Sequence, residues 1–148
     1  YMKELAEKGK YEVNDKVKTA VTEMFASGMC SDNDTKEVIG RIFGEKGMLI
    51  DTHTAVAVSV LEQYRKETGD EEIAVVVSTA SPYKFCSSVL DAVGKSAETD
   101  GPELIEMLEE ATATSAPEPL KRLGTKTVRF TQSVEKEEMI NVVEGFLV

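Results

Sequence analysis

The sequence predicts an α/β fold in which mostly helical segments surround part of a sheet. Apolar residues recur at spacings of three and four along most of the chain, which is typical of amphipathic helices. The run from Ile73 to Val77 is continuously apolar and mostly β-branched, as expected of a strand covered on both faces. Residues 127–131 alternate like a second strand. A buried strand needs neighbours on both edges, so we expect the remaining strands in polypeptide outside this chain.

The composition is that of one folded domain and excludes several functional classes. The chain has 148 residues, of which 41% are hydrophobic and 30% are charged, and its net charge is −10. This charge disfavours binding to nucleic acid or to an anionic membrane surface, and no apolar run approaches the roughly 20 residues of a membrane span. Cys30, Cys86 and a single histidine are too few for a metal site, so we expect reduced thiols in a cytoplasmic protein.

The first third of the chain predicts two helices. Asn14 is a suitable N-cap for a helix over residues 15–27, because its side chain can accept from free backbone N–H groups. Residues 31–35 offer several N-cap side chains, and Asp34, with a glutamate three residues later, resembles a capping box for a second, short helix. Gly44 or Gly47 would end that helix, since glycine readily adopts the left-handed conformation of a C-cap.

The middle of the chain predicts a helix, a strand and another helix. Residues 54–66 carry apolar side chains on most of their surface, so we expect a largely buried helix that stops at Gly69. The predicted strand over residues 73–77 follows. Ser81 and the proline after it are typical of an N-cap and a first helical residue, and Gly94 would end the helix that they begin.

The last third predicts two more helices and the second strand. A polar joint over residues 98–102 precedes a helix that begins near Leu104 and fades at Thr112. A proline-containing surface connection leads to the strand over residues 127–131. Ser133 is the candidate N-cap of the final helix.

Two polar segments could carry chemistry. In open α/β sheets, ligands bind beyond the carboxyl ends of strands, and here that place is residues 78–84, which supply three aliphatic hydroxyls and a lysine. The alternative is an ordinary turn with Ser81 as its N-cap. In the second segment, Asp51 could orient His53 as a general base, although no nucleophile is visibly poised beside them. The alternative there is a histidine at a helix cap.

Three blocks of the sequence together resemble the C-terminal third of the threonine synthase family. They are Phe25-Ala26-Ser27-Gly28 with Ser31 to Thr35, then Asp51-Thr52-His53-Thr54-Ala55-Val56-Ala57, then Ser78-Thr79-Ala80-Ser81-Pro82-Tyr83-Lys84-Phe85. The family's versions of the second and third blocks read D-P-H-T-A and S-T-A-(H/S)-P-(A/Y)-K-F. This chain differs at Thr52, where the family usually has proline, so the local turn is expected to differ.

The resemblance implies that residues 1–148 are the C-terminal portion of a pyridoxal-phosphate enzyme of fold type II. Such enzymes convert O-phosphohomoserine and water into threonine and phosphate. The family's Schiff-base lysine and its phosphate-binding loop belong to upstream motifs, and neither motif occurs in this sequence, which begins with Tyr1 and not methionine. We therefore expect a fragment with no catalytic residue of its own, inactive in isolation, whose partner is the N-terminal portion of the same protein.

The resemblance also implies roles for individual residues of the site. Thr79 matches the family's threonine whose hydroxyl meets the pyridine nitrogen of the cofactor, and a neutral hydroxyl suits type II chemistry. Lys84 matches the lysine of the third block and could meet a phosphate oxygen of the substrate. Ser81 and His53 are further candidates for substrate binding.

Two alternatives stay open at this point. One is another type II pyridoxal-phosphate lyase or dehydratase, against which the D-x-H-T-A block argues because we associate it with threonine synthases. The other is a non-catalytic acidic interaction domain. That alternative predicts a monodisperse monomer without an exposed apolar edge.

Overall fold

The computed structural model describes residues 1–97 and 101–147, and these residues are mostly helical. The helices are α1 (Met2–Lys8), α2 (Asp15–Thr22), α3 (Asp32–Lys46), α4 (Thr52–Thr68), α5 (Cys86–Ala92), α6 (Glu103–Thr112), α7 (Glu118–Lys121) and α8 (Met139–Gly145). Short 3₁₀ turns cover Pro82–Lys84, Arg122–Thr125 and Lys136–Glu138. None of the described helices is both long enough and apolar enough to cross a membrane.

The core is formed by four of these helices. Helix α3 packs against α4 and α5, and α5 packs in turn against α6. The apolar residues of α3 that face this core recur at the three- and four-residue spacing of a helix face. The buried apolar side chains are Val38, Ile39, Ile42, Ile50, Ala55, Tyr83, Cys86, Val89, Leu90, Leu104, Ile105, Leu108 and Ala116. Helices α1, α2, α7 and α8 contribute no buried residue to it.

Helix α3 begins two residues before the predicted capping box. Ser31 is its N-cap: the Ser31 hydroxyl accepts from the backbone N–H of Asp34 at 3.2 Å, and the Asp34 carboxylate accepts from the backbone N–H of Ser31 at 3.4 Å. The predicted pairing of Asp34 with a glutamate three residues later was therefore wrong by one turn. Of the two predicted ends, Gly44 and Gly47, the structure has Gly47, with a left-handed φ of 63°. The helix has 15 residues and is longer than expected.

Helix α4 ends where the sequence predicts but is less buried than expected. Gly69 closes it with a φ of 72°. Only Thr54 and Ala55 are buried, so the prediction of a largely buried helix was wrong. One face of α4 packs against α3, where Arg41 and Glu62 form an ion pair at 2.8 Å. The other apolar residues of α4 are half-buried or exposed.

The sheet predicted from the sequence is wrong for the described residues. No strand occurs in the described residues, and the run that should be its buried centre is exposed: Ile73 is 96% and Val77 is 70% exposed. The second predicted strand is also exposed, with Val128 at 73% and Phe130 at 72%. A strand forms by pairing its backbone with a neighbouring strand. Neither segment has such a neighbour in the described part of the chain. The other part of the predicted fold class, a mostly helical chain, is confirmed.

The remaining boundaries shift by up to a turn or two. Ser81 caps the 3₁₀ turn rather than a long helix, and α5 starts only at Cys86. The helix predicted over residues 15–27 ends at Thr22, and α1 was not predicted. Glu135, and not Ser133, is the cap that precedes the final helical segment. Helix α6 is confirmed. Part of the predicted joint over 98–102 lies outside the described residues.

Candidate functional site

The two polar segments singled out in the sequence meet at the N-terminus of α4. Asp51, the N-cap of α4, is fully buried at 0% exposure. Its carboxylate lies beside the hydroxyls of Thr54, in the first turn of α4, and of Ser78, which follows the exposed apolar run. Thr54 and Asp51, which precede Ser78 by 24 and 27 positions, are thereby brought into one cluster with it.

One oxygen of Asp51 serves the helix cap. Oδ1 accepts from the backbone N–H of His53 at 2.9 Å and from that of Thr54 at 3.4 Å. Both donors are free because they lie in the first turn, where no carbonyl precedes them within the helix. The Nδ1 atom of the His53 ring lies 3.1 Å from the same oxygen.

The other oxygen of Asp51 serves two hydroxyls. Oδ2 accepts from the Thr54 hydroxyl and lies 3.4 Å from the Ser78 hydroxyl. The hydroxyl oxygens of Thr54 and Ser78 are 2.9 Å apart. Thr54 is itself buried, so this hydroxyl pair links the interior of the helix bundle to the start of residues 78–84.

Asp51 carries a negative charge at neutral pH despite its burial. Desolvation acts to raise the pKa of its carboxyl, but the hydrogen bonds from the Thr54 hydroxyl and from His53 outweigh it and hold the pKa below its ordinary value. An ionised carboxylate only accepts hydrogen bonds, so the Nδ1 atom of His53 carries the ring proton. The Nε2 atom is then left as an acceptor while the ring is neutral.

A cleft opens beside His53. It has a volume of about 510 Å³ and is lined by His53, Phe85, Lys36 and Ser88 among others. The rings of His53 and Phe85 pack with their centroids 5.0 Å apart. Lys36 is held in an ion pair with Asp91 at 2.7 Å, which raises the pKa of the lysine and places a carboxylate of opposite charge beside it. The cleft therefore contributes a histidine and an aromatic wall rather than a strong positive field.

The structure groups only some of the predicted site residues. Lys84 is exposed and lines a neighbouring cleft, which shares Phe85 and Ser88 with the cleft of His53. Thr79 is exposed, and its hydroxyl makes no hydrogen bond with another described residue. Ser81 acts as a cap, because its hydroxyl accepts from the backbone N–H of Tyr83 at 3.3 Å. The alternative of an ordinary capped turn therefore describes Ser81 correctly.

The turn that carries Ser81 and Lys84 is fixed to the core by Tyr83. The Tyr83 ring is buried, and its hydroxyl lies 2.6 Å from the hydroxyl of Thr114, at the end of α6. The contact of Ser78 with Thr54 is a feature that sequence reasoning missed. Both residues carry hydroxyls in singled-out segments, but no local pattern indicates that they touch.

The described residues contain no group of three or more histidine, cysteine or acidic side chains that could hold a metal ion. Cys30 is half-buried and Cys86 is buried, and both are free thiols. Burial raises the pKa of the Cys86 thiol.

Residues 54–144 match the family model described as "Threonine synthase, C-terminal". Among curated proteins, a threonine synthase of Saccharomyces cerevisiae is 28% identical over 152 aligned positions, which cover 97% of this chain and 27% of that protein. A threonine synthase of Corynebacterium glutamicum is 34% identical over 55% of this chain and 17% of its own length. This chain thus spans about a quarter or less of these relatives. No solved structure matches it.

Proposed function

Because the chain belongs to the threonine synthase C-terminal family, we propose that it is the C-terminal part of a threonine synthase. The complete enzyme would convert O-phosphohomoserine and water into threonine and phosphate. The observation that carries the proposal is the family match over residues 54–144, which takes in nearly all of α4 and the whole of α5 and α6. The yeast relative extends the similarity to 97% of the chain.

The cofactor of this proposal is pyridoxal phosphate, which supplies an electron sink for the substrate carbon when it is bound. The residues of this chain fit one edge of that cofactor. Thr79 presents an exposed neutral hydroxyl without a partner among the described residues, so it is available to donate to the pyridine nitrogen. The lysine and the phosphate-binding loop of the cofactor site would come from upstream polypeptide.

The proposal gives substrate-facing roles to three further residues. The Nε2 atom of His53 is an available acceptor, since Asp51 holds the Nδ1 proton. Lys84 has no ion-pair partner among the described residues and would meet a substrate oxyanion. Ser81 uses its oxygen as a cap acceptor and keeps its hydroxyl proton for a ligand. Because His53 and Lys84 line separate clefts, they would contact different parts of the substrate.

The proposed partner is the upstream portion of the same protein, in the cytoplasm. The joint exposure of Ile73, Val75 and Val77 in one run supports a missing partner surface, since monomeric proteins rarely expose large contiguous apolar patches. It also counts against the free-standing interaction domain, which predicted no exposed apolar edge. The free thiols Cys30 and Cys86 support a reducing compartment.

The proposal is tested by expressing the complete reading frame that contains this chain. The full-length protein should release phosphate and form threonine from O-phosphohomoserine with pyridoxal phosphate. Borohydride should trap the cofactor on one lysine upstream of Tyr1 in that protein, and should trap no stoichiometric adduct on the 148-residue chain. Deamination of serine or threonine without phosphate release would instead indicate the dehydratase alternative.

A further inference from the structure

The Asp51 carboxylate makes more interactions than a helix cap requires. Capping α4 occupies Oδ1 alone, through the backbone N–H groups of His53 and Thr54. At α2, the neutral Asn14 does the same work by accepting from Val17 at 3.0 Å. Asparagine and serine are as effective as aspartate at the N-cap of a helix, whereas burying a carboxylate costs desolvation free energy. The buried charge of Asp51 therefore needs a second explanation.

That explanation lies at Oδ2, where the charge orients two hydroxyls. An ionised carboxylate accepts and cannot donate, so the single proton of the Thr54 hydroxyl is directed at Oδ2. The Ser78 hydroxyl donates to the same oxygen at 3.4 Å, and its own oxygen lies 2.9 Å from that of Thr54. Both hydroxyls are thus oriented by the one carboxylate oxygen.

Ser78 is the point at which residues 73–80 are attached to the helices. Within this fully described segment, the side-chain contacts of Ser78 with Thr54 and Asp51 are the hydrogen bonds that connect it to α4. The neighbouring run is exposed, with Val77 at 70%. The next residue along the chain is Thr79.

We propose that Asp51 is a positioning residue for Thr79 and acts on it through the hydroxyls of Thr54 and Ser78. The inference rests on the proposed function, because it needs Thr79 to meet the pyridine nitrogen. The buried charge holds the Ser78 hydroxyl, and the Ser78 backbone sets where the Thr79 hydroxyl lies. A hydrogen-bond donor must lie within a few tenths of an ångström of its acceptor distance to be effective.

The test uses the full-length enzyme with pyridoxal phosphate and a matched pair at one site. Thr54→Val keeps the shape and removes the hydroxyl, while Thr54→Ser keeps the hydroxyl. We expect Thr54→Val to bind the cofactor about tenfold more weakly, with an altered absorbance spectrum of the bound cofactor. We expect Thr54→Ser to restore the wild-type spectrum and affinity.

Two further variants separate positioning from capping. Asp51→Asn keeps an oxygen for the cap and replaces the other oxygen with a donor, so it should resemble Thr54→Val. Ser78→Ala changes an exposed residue outside the helices and should do the same without loss of folding. Ser31→Ala removes the cap of α3 and is the control: it should lower thermal stability and leave the cofactor spectrum unchanged.

A readout without cofactor completes the experiment. In the cofactor-free protein, limited proteolysis should cleave within residues 73–80 faster in Thr54→Val than in Thr54→Ser. If Thr54→Val and Ser78→Ala keep the wild-type cofactor affinity, spectrum and cleavage rate, Asp51 is a cap only and the inference is wrong. If the wild-type protein binds no pyridoxal phosphate, the proposed function fails first, whatever the variants do.

Discussion

At the scale of single residues, the candidate site combines a buried charge with an exposed hydroxyl. Asp51 is fully buried and fully hydrogen-bonded, so it is not available to a ligand. Thr79 is exposed and has no partner among the described residues, so it is available to one. His53 lies between these extremes, with one ring nitrogen held by Asp51 and a side chain that is 62% exposed.

The substitution Thr79→Val tests the ligand-facing hydroxyl in the full-length enzyme. Valine has nearly the same shape, and residue 79 is exposed, so the fold should be unchanged. Loss of one hydrogen bond to the cofactor should cost about 0.5–1.5 kcal/mol, or roughly two- to tenfold in cofactor affinity. Titration of the cofactor, followed by absorbance, measures this directly.

Thr79→Ser is the control, since it keeps the hydroxyl and should bind the cofactor as the wild type does. Equal affinity and equal spectra for the valine variant would mean that Thr79 does not contact the cofactor.

The charge of Asp51 predicts a pH dependence of stability. Its pKa is lower in the folded chain than in the unfolded one, so the folded state binds fewer protons near that pKa. The stabilisation is therefore complete at neutral pH and is lost as the pH falls below about 4. Urea unfolding midpoints of wild type and Asp51→Asn, measured from pH 7 to pH 3, should converge towards the acid end. A constant difference between the two curves would contradict a charged Asp51 in the folded state.

At the scale of elements, α3 organises the structure because it contacts both α4 and α5. Gly40 permits its close approach to α5. A Cβ atom at this position would lie 2.5 Å from the carbonyl oxygen of Ala92, which belongs to the backbone and cannot rotate away. The ion pair between Lys36 and Asp91 lies along the same contact.

Gly40→Ala should therefore destabilise the chain by about 1–3 kcal/mol, since the two helices must separate to admit the methyl group. Gly44→Ala, one turn further along α3, is the matched control because a Cβ atom there meets nothing within 4 Å. It should stabilise by roughly 0.5–1 kcal/mol, through the higher helix propensity of alanine. Chemical denaturation of both variants gives the comparison, and equal effects would mean that α3 and α5 are not in close contact.

Amide hydrogen exchange tests the segment that the sequence misassigned. In the 148-residue chain, amides near Ile39 and Leu90 should exchange slowly, since these side chains are fully buried in the core. Amides of residues 73–77 should exchange rapidly, because they are not paired in a strand. In the full-length protein the same five residues should become protected. Slow exchange at 73–77 in the short chain would indicate that these residues pair without upstream polypeptide.

At the scale of the whole molecule, the core is confined to the middle of the sequence. Every buried apolar side chain of the described residues lies between Val38 and Ala116. Outside these limits large apolar side chains remain in contact with water, among them Phe25 at 68% and Phe146 at 70% exposure. This distribution supports the proposal that the chain is part of a larger protein, as does the fact that it spans 27% of its yeast relative.

The exposed apolar surface predicts a difference in behaviour between the short chain and the full-length protein. The 148-residue chain should bind a hydrophobic fluorescent dye and self-associate at raised concentration. The full-length protein should show little dye binding, since the upstream polypeptide would cover Ile73, Val77 and Phe130. A short chain that stays a monodisperse monomer without dye binding would favour the interaction-domain alternative.

The sequence by itself determined the features that depend on interactions between near neighbours. Gly47 and Gly69 end their helices as predicted, because a left-handed C-cap involves only the preceding turn. Asp51 was recognised as a possible partner of His53 for the same reason, since two positions separate them. The family resemblance, later supported by the match over residues 54–144, also came from short blocks in a fixed order.

Only the tertiary structure decided burial and long-range contact. The composition of residues 73–77 indicates what a strand could bury, but not whether a neighbouring strand is present, and here these residues are exposed. The contact between Thr54 and Ser78 depends on the path of 24 residues, which no local pattern encodes. The separation of Lys84 from the His53 cleft likewise follows from how the helices pack. Apolar side chains and hydroxyls acquire a role only when folding supplies their partners, and those partners are distant in the sequence.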